Sequence, residues 1–255
     1  MLLLIDIGNT RIKWARLARD VLQPQSAAVH SDWTAAAFTR EVLGSGPPAS
    51  RVFVSNVSGA RMAEIARTAI QHQWNIEPQF VISTAAAGGV RNAYKEPAKL
   101  GVDRWLALIA ARELERGAVC IVSVGTAVTV DGLDADGRHL GGVIVPGPNL
   151  MVSSLLHGTS DIAQRAAGGS KADALFADNT LGAIWQGAQH ALGALVERCV
   201  QALRQEVGQS VMVLVTGGGA ALIEPLLRSS FRSVPDLVLR GLAVLARESQ
   251  DSARV

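Results

Sequence analysis

Ile5-Asp6-Ile7-Gly8-Asn9-Thr10 and Val122-Ser123-Val124-Gly125-Thr126-Ala127 decide how these 255 residues are organised. Each is an apolar run closed by a Gly and a small polar residue, and each opens a series of three strands followed by a helix. In the first series, residues 2–7 and 12–17 read as strands joined by the turn Gly8-Asn9-Thr10-Arg11, with a third strand near 27–30. Ser31 or Asp32 is placed to cap the helix that follows. A strand at 51–55 then leads into 60–74, where Met62, Ile65, Ala66, Ala69, Ile70 and Trp74 recur at helical spacing. A further helical pattern starts near Pro97 or Val102 and stops near Gly117.

The second series has strands at 118–124, 127–133 and 139–145, the last ended by Pro146-Gly147 and feeding a helix. Then come a long helix over about 181–207, a strand at 211–216, the turn Gly217-Gly218-Gly219, a helix from Ala220 and a closing helix over 237–248. The likeness of the two series reads as an internal duplication. It divides the α/β chain into domains 1–117 and 118–255.

Composition narrows the function classes. The 24 basic and 22 acidic residues are interspersed, with no like-charged run to track a polyanion, and only 4% of residues are aromatic. Both features argue against nucleic-acid binding. The apolar start Met1-Leu2-Leu3-Leu4-Ile5 is cut by Asp6, and no run reaches the roughly 20 apolar residues that span a bilayer. A cytoplasmic protein without membrane contact is expected. Cys120 and Cys199 lie in apolar runs far apart and read as buried hydrophobes. The five histidines show neither i, i+4 pairing nor HExxH, which argues against a metal site built on them.

Several segments carry chemistry. Asp6-Ile7-Gly8-Asn9-Thr10 sets a carboxylate at the end of a buried strand and a glycine just beyond it. There peptide N–H groups, the Thr10 hydroxyl and Lys13 suit phosphates, and Asp6 suits a hydrated Mg²⁺. An ordinary hairpin turn, with Asp6 bonded to its own loop, is the alternative. Gly125-Thr126-Ala127 with Asp131, and Thr216-Gly217-Gly218-Gly219, are further strand-end turns. No GxxxxGK[ST] run occurs, which excludes a P-loop. Gly101-Val102-Asp103-Arg104 falls at a helix start. Either Asp103 accepts a hydroxyl proton while Arg104 binds an anion, or Asp103 is a helix cap beside a solvent-facing Arg. Thr180 is either the N-cap of the long helix or a ligand contact.

Taken in order, Asp6-Ile7-Gly8-Asn9-Thr10, Gly101-Val102-Asp103-Arg104, Gly125-Thr126-Ala127, Gly141-Gly142-Val143-Ile144-Val145-Pro146-Gly147 and Asn179-Thr180 resemble the type III pantothenate kinase family over nearly the whole chain. The resemblance implies two ribonuclease-H-like domains of the actin-like ATPase, acetate and sugar kinase superfamily, with a nucleotide cleft between them, and a homodimer. It implies phosphorylation of pantothenate to 4′-phosphopantothenate by ATP with Mg²⁺, the first step of coenzyme A biosynthesis. Another small-hydroxyl kinase, or a non-catalytic regulatory accessory factor on the same fold, is the alternative.

On that resemblance, Asp6, Ile7, Gly8, Asn9, Thr10, Arg11, Ile12, Lys13 and Thr126 bind ATP, with Asp6 holding Mg²⁺ directly or through water. Asp103 is the general base. Tyr94, Gly101, Val102, Asp103, Arg104 and Thr180 line the pantothenate site. The family commonly carries an Asp that binds an activating K⁺ or NH₄⁺ where this chain has Ser123, which leaves only a neutral oxygen for that cation.

Overall fold

Period-two alternation in a fully buried strand explains most of the architecture. In the computed structural model, which describes residues 1–251 apart from 45, 172 and 173, the strand β1 (Leu2–Ile7) is buried at every position. Leu3, Ile5 and Ile7 point to one face of the sheet, and Leu2, Leu4 and Asp6 to the other. β2 (Arg11–Ala18) pairs antiparallel with β1, and β3 (Val21–Leu22) and β4 (Ser26–Val29) both pair with β2. After the short α1 (Ala35–Phe38), β5 (Arg51–Asn56) pairs parallel with β1 on its other side. α2 (Ala60–Trp74) and β6 (Gln79–Phe80) follow, giving the strand order β3-β2-β1-β5-β6.

Leu3, Ile5 and Ile7 pack with Phe38, Met62, Ala66 and Ile70, so α1 and α2 cover that face. The other face is closed by α3 (Val102–Leu114), reached through the small hairpin β7 (Ala86–Ala87) and β8 (Val90–Arg91). Val102 and Leu106 of α3 meet Leu2 and Leu4 there, together with Leu239, Leu242, Ala243 and Ala246 from the C-terminal helix. This face is the one toward which Asp6 points.

The second sheet repeats the plan. β9 (Ala118–Val124) pairs antiparallel with β10 (Ala127–Leu133), and β11 (His139–Pro146) extends that edge. Three helices follow: α4 (Pro148–Gly158), α5 (Ser160–Ala166) and α6 (Thr180–Val207). β12 (Val211–Thr216) then pairs parallel with β9, and β13 (Phe231–Ser233) parallel with β12. The order β11-β10-β9-β12-β13 matches that of the first sheet strand for strand. Ala118, Cys120, Val122 and Val124 pack on Leu192, Val196, Val200 and Leu203 of α6, which leaves Ser123 on the opposite face. Cys120 is buried there, whereas Cys199 is only half-buried.

By packing, one compact unit comprises Met1–Leu114, Gly137–His139 and the segment from Asp236 onward, and the other comprises Glu115–Asp136 and Leu140–Pro235. Along the chain the first change of unit falls at 114/115. The last helix, α7 (Leu237–Asp251), packs on α3 rather than in the second unit, in which its position in the chain had placed it.

Three local expectations are corrected. The cap of α1 is Thr34, whose Oγ1 accepts the Ala37 N–H at 3.3 Å, not Ser31 or Asp32, and α1 widens into a π turn over Thr39–Leu43. The cap of α6 is Asn179, whose Oδ1 accepts the Gly182 N–H at 2.9 Å, so Thr180 is not the cap. From Ala220 the chain makes two 3₁₀ turns, Ala220–Leu222 and Glu224–Leu226, in place of an α-helix. Pro225 supplies no N–H to continue one.

Candidate active site

In the first unit the geometry centres on Asp6. Strand register sets Lys13 of β2 and Ser55 of β5 directly beside it, and the chain turns immediately after Ile7. The Gly8 N–H bonds the Arg11 carbonyl at 3.0 Å and closes that turn. His30, itself buried, braces it from outside, with Nε2 2.6 Å from the Gly8 carbonyl oxygen. Asn9, Thr10 and Arg11 are exposed at the tip, whereas Ile7 and Ile12 are buried below it.

Asp6 is 8% exposed, and its Oδ1 is buried with no hydrogen-bond partner. Burial pushes the carboxyl up to about 6 and the charge of Asp103 adds to the rise, while Lys13 and Ser55 oppose it more weakly. An orphaned carboxylate oxygen at a strand end is the donor a hard cation needs. Asp6 therefore fits Mg²⁺, whether directly or through water.

Asp103 enters from the first turn of α3, on the sheet face that Asp6 shares. Its Oδ1 accepts the Arg104 N–H at 2.8 Å. A β-carbon on Gly101 would lie 2.8 Å from that oxygen, so only glycine leaves the carboxylate this position. Arg104 is 5% exposed, which makes it a buried cation and not the solvent-facing Arg of the alternative reading. Its Nη1 donates to the Tyr94 hydroxyl at 2.9 Å, and its guanidinium carbon lies 5.7 Å from the Tyr94 ring centre. Val102 beside it belongs to the core.

Two residues that the sequence reading passed over hold Tyr94 in place. The buried His139 ring stacks on it, with centroids 6.2 Å apart and planes at 12°. Asn92 Oδ1 accepts the Tyr94 N–H at 3.0 Å, and Asn92 Nδ2 reaches the carbonyls of Thr84 and Pro97. Neither left a signal in the sequence. Asn92 sits in a loop without periodicity, and His139 lies 45 residues from Tyr94.

The second unit has its own strand-end turn. The Gly125 N–H bonds the Ala127 carbonyl at 3.0 Å, and the Gly147 N–H bonds the Thr126 carbonyl at 2.8 Å, leaving Thr126 exposed. Gly217, at φ 98°, presses on β9 so closely that a β-carbon would lie 2.3 Å from the Val124 carbonyl oxygen. Register places Thr129 and Thr216 on either side of Ser123. Where the first sheet carries the row Lys13, Asp6, Ser55, the second carries Thr129, Ser123, Thr216, all hydroxyls. Thr180 is half-buried and lines an apolar groove of about 560 Å³ with Met151, Leu155, Ile162 and Ile184. Asp131 is buried in β10, away from the exposed turn.

Two sheets of matching strand order, each ending in a tight turn after its central strand, define the actin-like ATPase and sugar kinase architecture. Solved structures agree at the level of fold. The activator of 2-hydroxyisocaproyl-CoA dehydratase from Clostridium difficile, with bound ADPNP, superposes with a TM-score of 0.57 at 13% identity over 99% of this chain and 97% of that one. Component A of the (R)-2-hydroxyglutaryl-CoA dehydratase of Acidaminococcus fermentans gives 0.55 at 14% identity over 95% of each. In sequence, the profile of the type III pantothenate kinase family matches residues 2–202. A type III pantothenate kinase of Nitrosococcus oceani is 38% identical over 100% of this chain and 97% of its own length. One from Herminiimonas arsenicoxydans is 40% identical over 96% and 97%. The chain belongs to the type III pantothenate kinase family.

Proposed function

We propose that the protein transfers the γ-phosphoryl group of ATP to the primary hydroxyl of pantothenate, giving 4′-phosphopantothenate. The observation that carries the reading is the pair of carboxylates in the first unit: buried Asp6 at the phosphate-type turn and Asp103 at the start of α3, near enough to raise the Asp6 pKa. Family membership supplies the substrate.

Phosphoryl transfer asks a protein to align the acceptor and neutralise charge. The peptide N–H groups and side chains from Asp6 to Lys13 hold the phosphates. A Mg²⁺ bound through Asp6 would offset their charge. Asp103 takes the hydroxyl proton as the oxygen attacks; the Arg104 N–H on its Oδ1 fixes the orientation of the carboxylate. Arg104 and Tyr94, already hydrogen-bonded to each other, present one cation and one hydroxyl to the pantothenate carboxylate and amide. Gly101 and Val102 shape that wall. In the second unit, Thr126 is assigned to ATP and Thr180 to pantothenate.

A homodimer belongs to the same reading, supported by the exposed apolar residues Val143 and Ile144 on β11 and Leu150 and Leu155 on α4. The neutral row around Ser123 supports weak binding of a monovalent cation.

The test is Asp103→Asn, which keeps the shape and removes the base. Turnover should fall by about 10²–10⁴-fold while ATP affinity stays within about twofold. Full kcat in that variant would remove Asp103 from the mechanism.

A further inference from the structure

In the second unit, a groove of about 690 Å³ runs along α6, and neither Thr126 nor Thr180 lines it. α6 ends at Val207, just before β12 begins at Val211, and β12 runs parallel to β9 toward Thr216. The last turn of α6 therefore lies at the end of the sheet where β9 and β12 start, with Leu203 beside Gly132, and the helix runs back along the sheet toward its other end.

Three arginines line the groove. Arg198 and Arg204 project from α6, where His190, Ala194, Arg198, Gln201 and Arg204 follow at three- to four-residue spacing along one face. That stripe is about 21 Å long at 1.5 Å per residue. Arg228 comes from the loop opposite. Among the described residues, none of the three guanidinium groups makes a hydrogen bond or close ion pair with the protein.

The opposing loop is pinned rather than loose. Glu197 accepts the Arg228 N–H at 2.7 Å, the Ser229 N–H at 2.9 Å and the Ser229 hydroxyl at 2.9 Å. Gly193 lets Leu226 approach so closely that a β-carbon there would lie 3.1 Å from Leu226 Cβ. Burial alone would raise the Glu197 pKa. The bonds from Ser229 and Arg228, with the charge of Arg204, outweigh it and hold the carboxyl below its ordinary value. Among the described residues that line the groove, the one acid is thus ionised and already committed to the loop, which leaves a surplus of two positive charges there.

We propose that this groove binds a small molecule bearing two or more linked phosphates. Guanidinium forks match phosphate oxygens in pairs, and three of them along an extended groove fit a phosphate chain better than a single anion. The proposal does not rest on the kinase reading, since none of these residues belongs to the site described above. The linked phosphates could be those of a nucleotide or of inorganic polyphosphate.

The experiment titrates the full chain with inorganic tripolyphosphate by calorimetry in low salt, without Mg²⁺. R198Q/R204Q should weaken binding by roughly tenfold or more, or remove one site, while D6N should retain it. Unchanged affinity in R198Q/R204Q would overturn the proposal. So would an equal loss in R40Q/R61Q, which removes two exposed charges elsewhere, or orthophosphate binding as tightly as tripolyphosphate. Hydrogen exchange on the unmutated protein is the second measurement. Tripolyphosphate should protect residues 224–230, and no change there would also overturn the site. If ADP gives the same protection at lower concentration, a nucleotide is the source; if tripolyphosphate acts at the lower concentration, the phosphate chain alone is.

Discussion

At the scale of single residues, Asp6 combines its proposed role in chemistry with a cost in stability. Its carboxyl is raised from 3.8 in the unfolded chain to about 6 in the fold, so the folded state holds the proton more tightly. The stability this gives is fully present below about pH 3.8 and is lost as pH rises through 6. Two pKa units correspond to about 3 kcal/mol as an upper figure. Asp6→Asn should therefore stabilise the ligand-free protein at pH 7.5 by about 1–3 kcal/mol and flatten the loss between pH 4 and 6, while turnover collapses. Urea unfolding at pH 5 and pH 7.5 measures it; an unchanged pH dependence in the variant would show that Asp6 is not the group responsible. His139 stacks on Tyr94, so under the proposed function it would act through that ring rather than on substrate. His139→Ala should raise KM for pantothenate roughly three- to tenfold, the range that loss of a stacked ring pair gives, with kcat and the KM for ATP nearly unchanged. His139→Phe should restore most of it. Steady-state kinetics decide, and a fall in kcat with KM unaffected would count against a positioning role.

At the scale of elements, the long regular pieces were legible in the sequence because their periodicity was strong. β9, β10, β12 and α2 fall on the residues read for them, since an apolar strand buried on both faces and a helix with one apolar stripe each leave an unambiguous pattern. The pieces that escaped were too short to have a period. β6 and β13 have two and three residues, and the turns after Ala220 were mistaken for a helix because Gly-rich strand ends so often lead into one. The candidate site was legible where one short stretch carried it, as in Asp6 to Thr10 or Gly101 to Arg104, which remain proposals for function. The support of Tyr94 by His139 and Asn92, and the row of hydroxyls around Ser123, exist only through strand register and loop path. Packing of α7 on α3 was equally invisible, although a single glycine marks it. A β-carbon on Gly241 would lie 2.1 Å from the Leu106 carbonyl oxygen. Gly241→Ala must force the two helices apart and should destabilise by about 1–3 kcal/mol. Thermal unfolding would register this as a lower Tm, and a Tm within a degree of the parent would mean the helices part without strain.

At the scale of the whole molecule, the two sheets share an order but not a charge. The first has a carboxylate on its central strand where the second has Ser123 between Thr129 and Thr216. No charged ligand stands in that row to hold a monovalent cation, so activity should depend little on K⁺ or NH₄⁺, and Ser123→Asp should create a dependence. Rates in Tris buffer with and without potassium chloride, at ionic strength matched by a large organic cation, measure both. A parent enzyme inactive without potassium would contradict the charge argument. Among the described residues, no helix is long and apolar enough to cross a membrane. The exposed apolar residues of β11 and α4 are instead expected to meet a second copy, which light scattering at micromolar protein would read as a dimer. A fully active monomer would rule out that interface. Incubating the purified protein with Mg-ATP and pantothenate, and following both products by mass spectrometry, reads the proposed reaction itself. 4′-Phosphopantothenate and ADP should form in equal amounts, and Asp103→Asn at the same concentration for the same time should give about 10²–10⁴-fold less of both. ADP released without 4′-phosphopantothenate, or no consumption of ATP at all, would contradict it.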